Sequence, residues 1–318
     1  MLQASDLQYI LNTKPMYFWQ KAFNIDTPLI DFFGGIKTHQ GDGNIYIPFH
    51  HGRNDSVGPF DEGDTITSST GEQSKRKIKI DWSRYKGGID VDGLAEAISK
   101  LGAYDLTNDL VLEELEDLID DILSDIEDDL SGDGTGDPTP IYGTNYWIAD
   151  DNTVGGLDRS SYTWLASYVS DNGGTDRSLT KSLLQTMISQ LEDTRGSKWD
   201  TALTSRTMAY VYEALMGDAK RYVDVKVGDV FMKALAIDGK PLIPVPGYGD
   251  RIDFIRKKDW ELQAVPHVSR DTYGRMNKGL FKVEERQPTT DSTRMFAFIY
   301  LQLVCKNPYK QASLQDIE

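Results

Sequence analysis

Two short strand patterns separated by a long polar segment constrain the fold of this chain more than any other feature. In NIYIPF (residues 44–49) and KRKIKIDW (75–82), apolar residues alternate with others, which is the period of a β-strand with one buried face. The 25 residues between them, 50–74, are rich in Gly, Ser, Asp and Thr. The pattern predicts a long two-stranded hairpin with a broad polar tip. Because an isolated two-stranded ribbon is only marginally stable in water, we expect this one to pack on another subunit.

A long amphipathic helix is predicted over residues 105–132. Its apolar residues recur at spacings of three and four on one face, and its other face is almost wholly acidic, with no Lys or Arg from 105 to 137. Because like charges four residues apart destabilise an isolated helix, we expect basic groups of the hairpin to lie beside it in the assembled protein. The candidate contact residues are Lys75, Arg76, Lys77 and Lys79 on the hairpin and Glu113, Glu116, Asp117 and Asp120 on the helix.

The segment GGLDRSSYTWLAS, residues 155–167, is too polar for a core strand and too aromatic for a solvated loop. Gly155 and Gly156 permit positive φ angles, so the segment is predicted to be a turn. Aromatic and Arg side chains are the usual anchors of protein interfaces. Two interpretations stay open with about equal weight: a contact covered by a neighbouring subunit, or an intrachain ion pair with core aromatics. The candidate contact residues are Asp158, Arg159, Tyr162 and Trp164.

Composition excludes several classes of function. The net charge of −16 disfavours non-specific wrapping of DNA, which needs clustered cations. The single cysteine, Cys305, excludes an intrachain disulfide and lies in an apolar run, which predicts a buried thiol. The pair His50-His51 does not have the spacing of a zinc site. We find no nucleophile–base arrangement, so neither a cofactor nor an enzymatic activity is predicted, and no apolar stretch of about 18 residues predicts a membrane span.

The remaining chain mixes helix and strand patterns, which predicts an α+β fold. The predicted elements are a helix over about 5–12, a short helix over 90–101, a helix over 176–196, a strand followed by a capped helix over 199–216, strands over 222–262, and two strands over 280–309. The last residues, 310–318, are expected to be frayed.

Four segments, in this order, resemble the major capsid proteins of tailed phages, whose fold is shared with herpesvirus capsids. They are GRNDSVGPFDEGD (52–64), GGLDRSSYTWLAS (155–167), DTALTSRTMAYVYEAL (200–215) and IDGKPLIPVPGYGDRIDFI (237–255). The resemblance covers nearly the whole chain. It implies an N-terminal arm over 1–40, an E-loop hairpin over 41–88, a peripheral domain over 89–170 with a spine helix at about 105–132, an axial domain over 171–262, and peripheral return strands with a C-terminal tail over 263–318.

The resemblance also implies a function. Such a chain would be a structural subunit that self-assembles through hexamers and pentamers into an icosahedral head enclosing double-stranded phage DNA, located in the virion and assembled in the host cytoplasm. The implied partners are a maturation protease, a portal, decoration proteins and a scaffold. Some relatives begin with a fused scaffolding region, whereas this chain begins at the arm, so we expect a separate scaffold or none.

Other interpretations remain open. A cellular nanocompartment shell of the encapsulin type would have the same fold and hold cargo enzymes instead of DNA. A soluble hydrolase would use carboxylates of the acidic helix, and a nucleic-acid-binding module is disfavoured by the charge. The lysines at 75, 77 and 79 could join isopeptide cross-links between shell subunits, but salt bridges to acidic neighbours are the favoured interpretation.

Overall fold

The computed structural model of the chain describes residues 28–41, 43–52, 59, 62, 74–93, 110–136, 138–227, 230–270, 276–286 and 291–318. Most of the predicted arm, including its helix at about 5–12, and most of the hairpin tip lie outside these residues. The described chain folds into two main β-sheets, each covered by helices, and three two-stranded ribbons.

The first sheet is built around one long strand. This strand, β17, pairs with β4 and β16 along its first part and with β13 along its second, and β13 also pairs with β1. The long helix α2 packs across β4 and β17, with the short helix α1 against it. The bounds are β1 Ile36–Thr38, β4 Ser83–Asp92, β13 Trp260–Ala264, β16 Lys282–Arg286, β17 Ser292–Cys305, α1 Pro28–Phe32 and α2 Leu110–Asp129.

The second sheet has seven strands in the order β7-β18-β12-β8-β11-β10-β9. The described bounds are β7 Tyr168–Ser170, β8 Thr201–Thr204, β9 Tyr222–Val227, β10 Val230–Ile237, β11 Lys240–Pro244, β12 Ile252–Ile255 and β18 Ala312–Leu314. Its helices are α4 Lys181–Ser189 and α5 Arg206–Met216; a short helix, α3 Thr144–Trp147, precedes both. The predicted strand, cap and helix over 199–216 are confirmed, because Ser205 Oγ accepts a hydrogen bond from Met208 N at 3.2 Å.

The ribbons complete the described fold. They are β2 Ile45–His50 with β3 Lys75–Ile80, β5 Thr153–Val154 with β6 Leu157–Asp158, and β14 His267–Arg270 with β15 Met276–Gly279. The predicted hairpin is thus confirmed at its root, and the two predicted strands over 280–309 are confirmed as β16 and β17.

One expectation about local structure is wrong. Residues 90–92, predicted to begin a short helix, extend β4, because Val91 pairs with Thr293 of β17; residues 94–109 lie outside the described chain. Residues 83–88, assigned to the hairpin, likewise pair with β17. The placement of the domain boundaries stays a prediction.

The C-terminal tail is the larger correction, because it is not frayed. Strand β18 lies between β7 and β12 and pairs with both. Beyond it, the Asp316 carboxylate accepts hydrogen bonds from Asn172 N and Gly174 N, both at 2.8 Å, and the Ile317 side chain is buried. The tail therefore belongs to the second sheet and its core.

We expect truncation of the tail's core side chain to destabilise the whole fold. Leu314 is fully buried, so Leu314→Ala should lower the free energy of unfolding in urea by about 2–5 kcal/mol. The control is Glu318→Ala, which removes an exposed side chain and should leave the free energy almost unchanged. Equal unfolding midpoints for the two variants would show that the tail contributes no core packing.

Candidate subunit-contact surface

The hairpin root has one buried face. Ile45 lies opposite Ile80, and Ile47 lies opposite Ile78; all four side chains are buried. We expected this face to pack on another subunit, but it packs within its own chain, in the core that also holds Val154. The root of the hairpin is therefore fixed to the subunit body.

The turn between β5 and β6 explains the two glycines of the GGLDRSSYTWLAS segment. Gly155 and Gly156 have φ angles of +53° and +82°, a region that residues with a Cβ rarely adopt. A Cβ on Gly155 would lie 2.0 Å from Ile78 Cγ2 and 2.7 Å from Lys79 O, whereas one on Gly156 would meet nothing within 4 Å. Gly155 therefore allows the turn to lie directly against β3.

A group of rings holds the hairpin root from a second side; we call it the aromatic clamp, formed by Phe49, His51, Tyr162 and Trp164 with Arg76. The ring centroid of Trp164 lies 4.6 Å from that of His51, in a stacked arrangement, and 5.5 Å from that of Phe49. The guanidinium carbon of Arg76 lies 4.7 Å from the ring centroid of Tyr162, whose hydroxyl accepts a 3.2 Å hydrogen bond from Arg76. The clamp is an intrachain contact between hairpin and turn.

The expected pairing of Asp158 with Arg159 is replaced by two separate roles. Arg159 is fully buried and donates hydrogen bonds to the carbonyl oxygens of Ala149 and Tyr146; burial lowers its pKa to about 10. Asp158 accepts hydrogen bonds from Ser160 N and Oγ at 3.0 and 2.6 Å, and these hold its pKa below the usual value. A buried Arg159 offers no surface to a neighbour, so we withdraw it as a contact residue.

The hairpin cations are exposed and make local contacts in their own chain. Lys77 Nζ lies 3.7 Å from the ring centroid of Tyr46, and Lys79 forms a 3.2 Å ion pair with Asp81. On the helix, the side chains of Glu116, Asp117 and Asp120 are exposed, while that of Glu113 lies outside the described residues. Whether the two sets meet between subunits stays a prediction.

One member of the predicted acidic face is buried instead. Glu127 accepts backbone hydrogen bonds from Leu29 N at 2.6 Å and from Ile30 N at 3.0 Å, so it ties α1 to α2. Burial, opposed by these two bonds, raises its pKa to about 7. The helical spacing gives the signal that we missed, because Glu127 follows the buried Leu123 by four residues and precedes the buried Leu130 by three.

Two further side chains that could take part in chemistry, the Cys305 thiol and the His39 imidazole, are buried or hydrogen-bonded within the chain. Cys305 is buried, and burial raises the pKa of its thiol. His39 Nδ1 lies 2.9 Å from Gln263 Oε1. No cluster of three or more metal-ligating side chains occurs among the residues that the structure describes. In the same residues, no helix has the length and hydropathy needed to cross a membrane.

Comparison with known proteins supports the fold. No protein-family model and no curated protein matches the sequence. Solved structures do match: the capsid of cyanophage A-1(L) has a TM-score of 0.69 at 15% identity, with 92% of this chain and 93% of that chain covered. The capsid of an empty GTA particle has a TM-score of 0.61 at 9% identity, with 92% and 90% covered.

A third match is the holo-SrpI encapsulin complex from Synechococcus elongatus PCC 7942, with a TM-score of 0.57, 12% identity, and 89% and 84% covered. Two of these three solved structures are capsids and the third is an encapsulin complex. The chain therefore has a shell-protein fold. More particularly, it has the α+β fold of tailed-phage capsid proteins, as the four sequence segments predicted.

We expect the two glycines of the turn to differ sharply on substitution. Gly156→Ala adds only backbone strain and should cost about 1–2 kcal/mol of unfolding free energy. Gly155→Ala adds the same strain and a clash with Ile78 and Lys79 O, so it should cost at least about 1 kcal/mol more. Urea unfolding followed by tryptophan fluorescence measures both. Equal losses of unfolding free energy in the two variants would mean that the turn does not contact β3 closely.

We expect Glu127 to make stability depend on pH. Its pKa is raised from an ordinary value of 4.5 to about 7, so the folded state favours the protonated form. The stabilisation is fully present below pH 4.5 and is lost as the pH rises through 7, by up to about 3 kcal/mol. Glu127→Gln, which cannot ionise, should lack this loss. If the unfolding free energies of the wild type and of Glu127→Gln change equally with pH between 4.5 and 8, the pKa of Glu127 is not raised by folding.

Proposed function

We propose that this chain is a structural shell subunit: a major capsid protein that assembles through hexamers and pentamers into an icosahedral head enclosing double-stranded phage DNA. The observation that supports it is the extent of the match, since 92% of this chain aligns with 93% of a cyanophage capsid subunit. Assembly in the host cytoplasm, a separate scaffold, a maturation protease, a portal and decoration proteins are parts of the same proposal.

We propose that the hairpin of one subunit contacts the acidic helix of the next. The aromatic clamp and the Gly155 contact fix the hairpin root in its own subunit, while Lys77 and Lys79 stay exposed. Their partners would be the exposed carboxylates at the start of α2, namely those of Glu116, Asp117 and Asp120, with Glu113. Exposed ion pairs contribute little singly but are repeated at every copy of the contact in a shell.

A nanocompartment shell is the second candidate, favoured by the encapsulin match over 89% of the chain. The contents of purified particles distinguish a phage head from a nanocompartment shell. Nuclease-protected double-stranded DNA is expected for a phage head, whereas a co-purifying cargo protein without DNA would favour the nanocompartment.

The test of the shell function is negative-stain microscopy of the purified chain beside light scattering of the same sample. We expect closed shells, or rings of five and six subunits. If the chain stays a monodisperse monomer or dimer even under crowding and with its neighbouring genes co-expressed, the shell function is wrong.

Charge reversal on the hairpin should block assembly without unfolding the subunit. Lys77→Glu with Lys79→Glu places like charges against the acidic helix of the neighbour, so particle yield should fall by about tenfold or more. The matched control is Lys181→Glu with Arg206→Glu, which changes net charge equally at exposed first residues of α4 and α5. Thermal unfolding checks the fold of both. An unchanged yield from the hairpin variant would remove this contact from the proposal.

A further inference from the structure

Three segments that together carry seven basic residues meet at one end of the second sheet. Strand β8 begins there and β12 ends there, joined by a hydrogen bond from Asp200 N to Ile255 O at 3.0 Å. The segment leading into β18 lies alongside, because Ser197 Oγ donates to Lys310 O at 2.6 Å. We call these side chains the basic cluster: Arg195, Lys198, Arg256, Lys257, Lys258, Lys306 and Lys310.

The segments of the cluster contain fewer carboxylates than cations. These three segments, 195–200, 256–261 and 306–310, contain seven basic residues but only Asp200, Asp259 and Glu261 as acidic ones. This surplus of positive charge stands out in a chain whose net charge is −16. Asp259 lies beneath the cluster, buried, with one carboxylate oxygen 2.9 Å from Arg256 Nε.

The arrangement of the cations leaves Lys198 and Lys258 for a partner, because Lys306 Nζ already lies 2.5 Å from Glu261 Oε2. Arg195 is held over the Tyr309 ring, 4.4 Å from its centroid, and Lys310 Nζ donates to Arg195 O. Burial lowers the pKa of Lys310, and the neighbouring Arg256 and Arg195 lower it further. The side chains of Lys198, Lys258 and Lys306 are exposed, and within the described chain the first two form no salt bridge.

The same chain carries a surface whose charge is opposite to that of Lys198 and Lys258. On the second half of α2, Asp121, Asp125 and Asp128 are exposed, and their spacings of four and three place them on one face. Burial raises the pKa of Asp125, and the adjacent carboxylates of Asp129, Asp128 and Asp121 raise it further. In the described residues none of the three is in a salt bridge. They follow the proposed hairpin partners along the helix, and Asp121 lies four residues after Asp117 on the same face.

We propose that the basic cluster docks onto the Asp121–Asp125–Asp128 face of α2 in a second copy of this chain. The inference rests on the proposed shell function and adds a second contact to it. Because the two surfaces differ, the contact is head-to-tail, and repetition of such a contact closes a ring or extends a chain. A copy of this chain is favoured over DNA because the exposed Lys198 and Lys258 are opposite in charge to the exposed carboxylates of α2, while the net charge of the subunit repels a polyanion.

Cross-linking tests the contact without requiring closed shells. Lys198→Cys combined with Asp125→Cys, treated with a short bismaleimide, should give a ladder of covalent multimers on a denaturing gel. Cys305 is buried and should not react in the folded protein. Either single-cysteine variant is the control and should give no ladder, since a head-to-tail contact needs both positions. A double variant that stays monomeric while the untreated protein forms particles would overturn the proposal.

Charge exchange tests the chemistry of recognition. Lys198→Glu with Lys258→Glu, and separately Asp121→Lys with Asp125→Lys, should each lower particle yield by about tenfold. The protein with all four substitutions restores opposite charges and should recover most of the yield. The control is again Lys181→Glu with Arg206→Glu, and thermal unfolding verifies each fold. Failure of the fourfold variant to recover, with its fold intact, would contradict direct pairing.

The outcomes separate this inference from the function on which it rests. If shells form, but cross-linking gives no ladder and substitutions in the basic cluster leave particle yield unchanged, the shell function stands and the docking is wrong. A ladder without closed shells or rings of five and six subunits supports the docking and contradicts the shell function. If the Lys198→Glu, Lys258→Glu protein assembles normally but loses salt-dependent binding of a DNA duplex, the cluster binds phosphates instead, and the docking is wrong.

Discussion

The structure depends on the backbone pairing of one strand. The 14 residues of β17 run through the first sheet between β4 on one side and β16 and β13 on the other, so the polar backbone of a deeply apolar segment is satisfied almost throughout. Because β4 follows β3 after only two residues, this pairing also sets where the hairpin leaves the body. Because α2 packs on β4 and β17, it sets where the acidic face lies. The proposed contact surfaces of the first sheet thus derive their positions from one strand.

Local patterns in the sequence predicted much of this architecture. The hairpin root, the capped helix after β8 and the long helix each depend on periodicity or capping within a few residues, and each is where the sequence placed it. The tail was missed because β18 is only three residues long and its partner β7 lies more than 140 residues earlier in the chain. A strand that short has no period to detect, and its pairing is fixed only by tertiary structure.

The contact surface was harder to predict, because burial of a charged group depends on distant partners. Charged side chains are almost never fully buried unless paired, so the sequence left Arg159 either in a subunit contact or in an intrachain ion pair. The carbonyl groups of Ala149 and Tyr146 that satisfy it are supplied by the fold around it. Glu127 differs from its acidic neighbours only by its rotation about the helix axis. In both cases the residue type predicted a solvent-exposed side chain, and hydrogen bonds to backbone groups allow that side chain to be buried.

The position of β18 has a consequence for biosynthesis. This strand is made after every strand that it joins, and β7 has no other partner in the second sheet. During translation, the ribosome therefore exposes a subunit whose second sheet has an open slot until residues 312–314 emerge. Lys310, two residues before β18, reaches its place only as that slot fills. Nascent chains on one messenger RNA are close together, and the late arrival of this strand would delay their mutual recognition until each subunit is whole.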